Sequence, residues 1–158
     1  MAELTEIKQK AAELGYDWPD PPQPVANYVP TRHLGDTVSV SGMVPLEDGE
    51  PALSGKRGAD VSVEEAQECA RNCVLQALAA LEAGLQQDFG DVVGVIKLRC
   101  YVNSTDDFTG QSQVANGASD LLTELMGVAG RHSRVAVGVN SLPLDVPVEI
   151  EFEFAVVQ

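Results

Sequence analysis

Between Val146 and Val157 the chain alternates almost without a break. Val148, Ile150, Phe152, Phe154 and Val156 fall on one side of an extended backbone, and Glu149, Glu151 and Glu153 on the other. Carboxylates resist burial and large apolar side chains resist water. The segment therefore demands a sheet with one face covered and the other polar. A cover is available upstream. Ser62-Val-Glu-Glu65 has the form of a capping box, in which the serine hydroxyl takes one orphan N–H and Glu65 reaches back to another. Behind it Ala66, Cys69, Ala70, Cys73, Val74, Ala77, Leu78, Leu81 and Leu85 keep a helical period to about Gln87.

The rest of the chain supplies the remaining pieces. Residues 4–14 form a short amphipathic helix ending at Gly15. Pro19, Pro21, Pro22 and Pro24 then make an extended arm. Two short strands follow Tyr28, turned at Gly35-Asp36 and closed by Ser41-Gly42, and residues 46–60 read as a mobile loop. Residues 92–102 are a strand with Ile96, Leu98, Cys100 and Val102 pointing one way and Val95, Lys97, Arg99 and Tyr101 the other. A second long helix runs from about Ser112 to Met126 and stops at Gly127. Residues 134–140 and 146–157 close the order β-β-α-β-α-β-β, joined across Ser-Leu-Pro-Leu-Asp. This order predicts an α+β two-layer domain, a mostly antiparallel sheet with two helices on one face. It is expected to span 1–158 as one domain, with 1–27 as N-terminal helix and arm.

Charge narrows the function classes. Ten Lys and Arg stand against 24 Asp and Glu, a net charge of −14, and no basic patch of the kind that neutralises phosphates is visible. Nucleic acid and anionic membrane are therefore not expected as partners, whereas a small anion held by one arginine is compatible with any global charge. No apolar run reaches the roughly 18 residues of a spanning helix, and the first residues lack a secretory pattern, so a cytoplasmic location is expected. Cys69, Cys73 and Cys100 are expected to be buried thiols rather than a disulfide or metal set, and His33 and His132 have no metal-ligand spacing.

The polar face of the sheet carries the candidate chemistry. If Val135, Val137 and Val139 face the helices, Arg134 shares the opposite face with Glu149. A hairpin centred on Leu142-Pro143 would bring Arg134 opposite about Glu151 and diagonal to Glu149, roughly 5 Å and 7–8 Å away between Cβ atoms. Two readings are open: a solvated face of weak ion pairs, or an anion site where a guanidinium fork holds a carboxylate beside an acid able to orient water.

Arg134-x7-Leu142-Pro143-x5-Glu149-Ile-Glu151 resembles the C-terminal signature of the YjgF/RidA family, also called the L-PSP or reactive intermediate deaminase family. Tyr28-x12-Ser41-Gly42 matches its N-terminal block, and the stretch into Val102-Asn-Ser-Thr-Asp-Asp-Phe108 fits its middle, so the resemblance runs from Tyr28 onward. It implies a chorismate-mutase-like α+β fold and a homotrimer with ligand clefts at subunit boundaries. The implied activity is hydrolysis of small 2-imino and 2-enamino acids to 2-oxo acids and ammonia, without metal or organic cofactor. Carried over by position, Arg134 grips the substrate carboxylate and Glu149 positions the attacking water. Tyr28, Ser41 and Asn116 line the pocket, and Glu151 is structural. The cysteine that the archetype carries two residues after its arginine is Ala136 here, and segments 46–60 and 103–113 match a longer family branch. An alternative on the same fold is a non-catalytic trimeric binding or regulatory protein for 2-oxo acids or related metabolites. A third reading, endoribonuclease or translation inhibitor, is disfavoured by the charge.

Overall fold

The computed structural model describes residues 3–85 and 91–157. Helix α1 (Leu4–Glu13) precedes the hairpin of β1 (Thr31–Leu34) and β2 (Thr37–Met43), then a miniature hairpin of β3 (Leu46–Glu47) and β4 (Glu50–Pro51). Helix α2 (Val63–Leu85), strand β5 (Val92–Asn103), helix α3 (Gln111–Met126), strand β6 (Ser133–Val139) and strand β7 (Val148–Val156) complete the chain. The expected end of α2 near Gln87 lies outside the described residues. The five-stranded sheet has the order β1-β2-β7-β5-β6. Its ladders are antiparallel except β5–β6, which is parallel, so the α+β fold with a mostly antiparallel sheet is the observed one.

The capping box forms as its spacing requires. Ser62 N donates to Glu65 Oε2 at 2.8 Å and Glu65 N donates to Ser62 Oγ at 3.1 Å. Behind it the apolar stripe of α2 packs with that of α3 over Val148, Ile150, Phe152, Phe154 and Val156, each at most 1% exposed. The three thiols are buried in this layer. Burial pushes Cys69 up to about 11 and Cys100 up to about 12, which keeps them protonated and unreactive. At the N-terminal end, Trp18 donates its indole N–H to Glu82 Oε2 at 2.9 Å beneath Lys8, and so fastens the proline arm to α2.

Three expectations are corrected. The 46–60 stretch is not a free loop. Asp48 and Gly49 both have positive φ (51° and 82°), the geometry a two-residue hairpin turn needs. Asn72 clasps both main-chain groups of Leu46. In β5 a bulge between Val95 and Lys97 shifts the alternation, so Val95 is buried with Phe154 while Ile96 is 39% exposed.

The third correction concerns the site. β6 and β7 do not form a hairpin, because β5 lies between them. The connection after β6 arches over the end of β5, where the fully buried Asn103 ties it down. Asn103 Nδ2 donates to Asp145 Oδ1 and to Val146 O, and Asn103 N donates to Pro147 O. The face of β6 is also inverted. Its small residues Ala136 and Gly138 turn toward the helices, where a Cβ on Gly138 would crowd Ser104 Oγ and Gln111 Nε2. Val135 and Val137, each 41% exposed, look out from the open face beside Arg99 and Tyr101.

Candidate functional site

Because β6 is inverted, Arg134 faces the helix layer rather than the open face. It pairs in register with the buried Leu98, yet it stands at the sheet edge, where α3 presents a polar stripe instead of its apolar one. Ser112, Asn116 and Ser119 recur at helical spacing along that stripe. Arg134 Nη1 donates to Asn116 Oδ1 at 2.8 Å and to Ser119 Oγ at 3.0 Å, and Nη2 donates to Ser112 O at 3.2 Å. A guanidinium has five N–H groups. Among the described residues these three bonds are its only hydrogen bonds, which leaves two N–H groups unbonded on an exposed residue.

Glu149 lies on the other side of the sheet. It pairs with Tyr101 across β5–β7 on the open face and is half-buried. Its carboxyl sits above the ordinary glutamate range, first because burial penalises the charged form and second because of neighbouring Glu151. A glycine makes room for it: a Cβ on Gly42, in the bulge between Val40 and Met43, would collide with the Glu149 carboxylate. The adjacent Ser41 donates its hydroxyl to Val29 O at 2.8 Å, and Ser41 N donates to Pro30 O at 2.9 Å. These bonds hold the approach segment against β2 and leave Tyr28 49% exposed beside it.

The five sequence-level candidates thus separate into two groups. Arg134 and Asn116 meet at the β6–α3 edge. Tyr28, Ser41 and Glu149 gather around β2 and β7. Strands lie about 4.8 Å apart, so β6 is roughly 10 Å from β7 and roughly 14 Å from β2, and the two groups occupy opposite faces of the sheet. The expected Arg134–Glu151 pairing is replaced by another. Arg99 on β5 contacts Glu151 Oε1 at 3.1 Å and Glu153 Oε1 at 2.8 Å, which gives Glu151 an ion pair and leaves Glu149 without a salt bridge among the described residues. Ser112, Ser119, His132 and Gly42 stand in these groups without having been singled out as site residues. The signal for the first two was the polar i, i+4, i+7 stripe flanking the apolar one on the same helix. Among the described residues no three His, Cys, Asp or Glu cluster as a metal site, and no helix is long and apolar enough to cross a membrane.

Residues 19–157 match the family model described as Endoribonuclease L-PSP. The chain belongs to the L-PSP, or YjgF, family. Among its relatives, Protein TCP17 of Trypanosoma cruzi is 42% identical over 139 residues, which are 87% of this chain and 86% of that one. The crystal structure of Atu1372 from Agrobacterium tumefaciens, described as of unknown function, superposes with a TM-score of 0.88 at 39% identity and covers 96% of this chain and 92% of its own. Escherichia coli TdcF, solved with bound serine, gives a TM-score of 0.59 at 26% identity, covering 85% of this chain and 92% of its own.

Proposed function

We propose that this L-PSP protein hydrolyses small 2-imino and 2-enamino acids to 2-oxo acids and ammonia, at clefts between the subunits of a homotrimer. Arg134 and Asn116 come from one protomer, and Glu149, Ser41 and Tyr28 from its neighbour. The observation that carries the reading is the state of Arg134. Its guanidinium is fixed by three bonds to α3, and among the described residues two N–H groups have no partner, the arrangement a planar carboxylate needs. The serine bound to TdcF is a ligand of this kind. Val135 and Val137 on the open face suit burial against a second copy.

The chemistry asks little of the protein beyond placement. The imine carbon is already electrophilic. Glu149, raised by burial, takes a proton from water as the water oxygen bonds to that carbon. Glu149 returns that proton to the imine nitrogen, giving a tetrahedral carbinolamine. It then takes the hydroxyl proton as the C=O forms and delivers it to the departing nitrogen, so that the C–N bond breaks and ammonia leaves. An enamino substrate enters the same path once its β-carbon is protonated. Positioning of this kind accounts for several kcal/mol of barrier.

In an assay coupled to a lyase that generates 2-aminoacrylate, the protein should speed pyruvate release. Arg134→Ala should lower kcat/KM by about 100-fold or more, two charge-assisted hydrogen bonds being lost. No acceleration by a well-folded oligomer would remove the deaminase reading. The second reading, a regulatory protein that holds a 2-oxo acid without turnover, is favoured by one observation: the anion-holding group is complete in a single chain, whereas the general base is remote from it. Thermal stabilisation by 2-oxobutyrate without imine turnover would select it. The endoribonuclease reading that the family's name carries is disfavoured by the net charge of −14.

A further inference from the structure

Behind Arg134 runs a chain of hydrogen bonds whose direction the Gly130 carbonyl fixes when the His132 ring is neutral. His132 Nδ1 lies 2.7 Å from Gly130 O. A carbonyl oxygen only accepts, so Nδ1 carries the proton. In the neutral ring Nε2 is then an acceptor, and it lies 2.9 Å from Ser119 Oγ. The Ser119 hydroxyl therefore donates to His132, which turns its lone pairs toward the 3.0 Å contact with Arg134 Nη1. With Asn116 Oδ1 accepting at 2.8 Å from the same nitrogen, both of its protons are engaged.

We propose that Ser119 and His132 are positioning residues for Arg134: a relay anchored on the Gly130 carbonyl that fixes the guanidinium rotamer and directs its unused N–H edge outward to a ligand carboxylate. The anchor is firm because Gly130 is buried in the 3-10 turn between α3 and β6, where Leu122 O and Thr123 Cα leave no space for a side chain. An arginine exposed on an edge strand would otherwise sample many rotamers. This inference rests on the reading of Arg134 as a carboxylate clamp.

Two measurements test it. The chain has two histidines, so nitrogen NMR of the labelled imidazoles, assigned with His132→Phe, reads the tautomer directly without ligand. The expected spectrum is Nδ1–H with a bare Nε2 that shifts in Ser119→Ala, and an Nε2–H tautomer in the wild type overturns the relay. Calorimetric binding of 2-oxobutyrate supplies the second. Ser119→Ala should weaken it about tenfold, the loss of one hydrogen bond to a charged group, and His132→Phe, which removes only the neutral acceptor of the Ser119 hydroxyl, about threefold to tenfold. Their imine KM should rise in step while kcat holds. Ser119→Thr, which retains the hydroxyl, should restore both. Wild-type binding in Ser119→Ala alongside lost binding in Arg134→Ala would sink the positioning role and leave the clamp standing. Unchanged binding in Arg134→Ala, or none in the wild type, would instead sink the clamp and the positioning role that depends on it.

Discussion

Glu149 shows how a single residue is held in a state that stability alone would not select. Its folded carboxyl value is raised, so the fold favours the protonated form. The linked stability is fully present below the ordinary value of about 4.3 and is lost as pH rises through the raised one. At neutral pH the ionised side chain is therefore a burden on the unliganded protein. Glu149→Gln, which cannot ionise, should raise the melting temperature at pH 7–8, with the gain shrinking toward zero as pH falls below about 4.3. The same variant should lose about 10²–10⁴ in kcat if the carboxylate handles the proton of water. A melting temperature that falls at neutral pH would show that Glu149 is there for structure. At this scale the sequence was informative about residue type and poor about company. The open-face position of Glu149 was legible from the Glu-Ile-Glu alternation, whereas the steric need for glycine at position 42 was not, because it comes from avoiding a collision with a residue more than a hundred positions away.

At the scale of elements, what was legible is what is local. Both halves of the α2 cap lie within four residues, so spacing alone revealed it. Its consequence can be measured. Ser62→Ala should lower the melting temperature by about 2–4 °C at pH 7. Glu65 is held below its ordinary value first by the Ser62 backbone N–H. Its share of the cap is therefore present above about pH 4.3 and lost as pH falls through the depressed value. Glu65→Ala removes that carboxylate, so its melting temperature should lie below the wild type's at pH 7 and the difference should narrow in acid, whereas a difference that widens there would contradict the cap. The placement of β6 was not legible in the same way. Val-Ala-Val-Gly-Val fits either orientation by hydrophobicity. What decides it is steric: the α3 side of β6 leaves no room for a side chain at position 138, where Ser104 and Gln111 press against the glycine. The hairpin expectation failed for a related reason. Its partner strand, β5, competes from beyond a whole helix, and a parallel crossover leaves no signal in the connecting loop.

For the whole molecule, the separation of the site into two groups is the consequence with the widest reach. Arg134 and Asn116 sit on the helix side of an edge strand, while Glu149, Ser41 and Tyr28 sit two to three strands away toward the other face. A water activated by Glu149 cannot reach a carbon whose carboxylate is docked on Arg134 of the same chain. Catalysis on this plan needs a head-to-tail contact, in which the β6 edge of one copy meets the β2–β7 region of the next, and such a heterologous contact closes into a ring when its rotation is a whole fraction of a turn, a third for a trimer. The arrangement can be tested by complementation. Arg134→Ala keeps an intact Glu149, and Glu149→Gln keeps an intact Arg134, so each homo-oligomer should be inactive. When the two variants are co-expressed in equal amounts, a cleft works wherever a Glu149→Gln subunit lends its arginine to an Arg134→Ala neighbour that supplies the acid. Random assembly makes that about a quarter of the clefts, so activity should return to about a quarter of the wild-type level. A site confined to one chain predicts none, since no chain in the mixture carries both groups. The measured fraction therefore distinguishes a shared cleft from a site built within a single protomer.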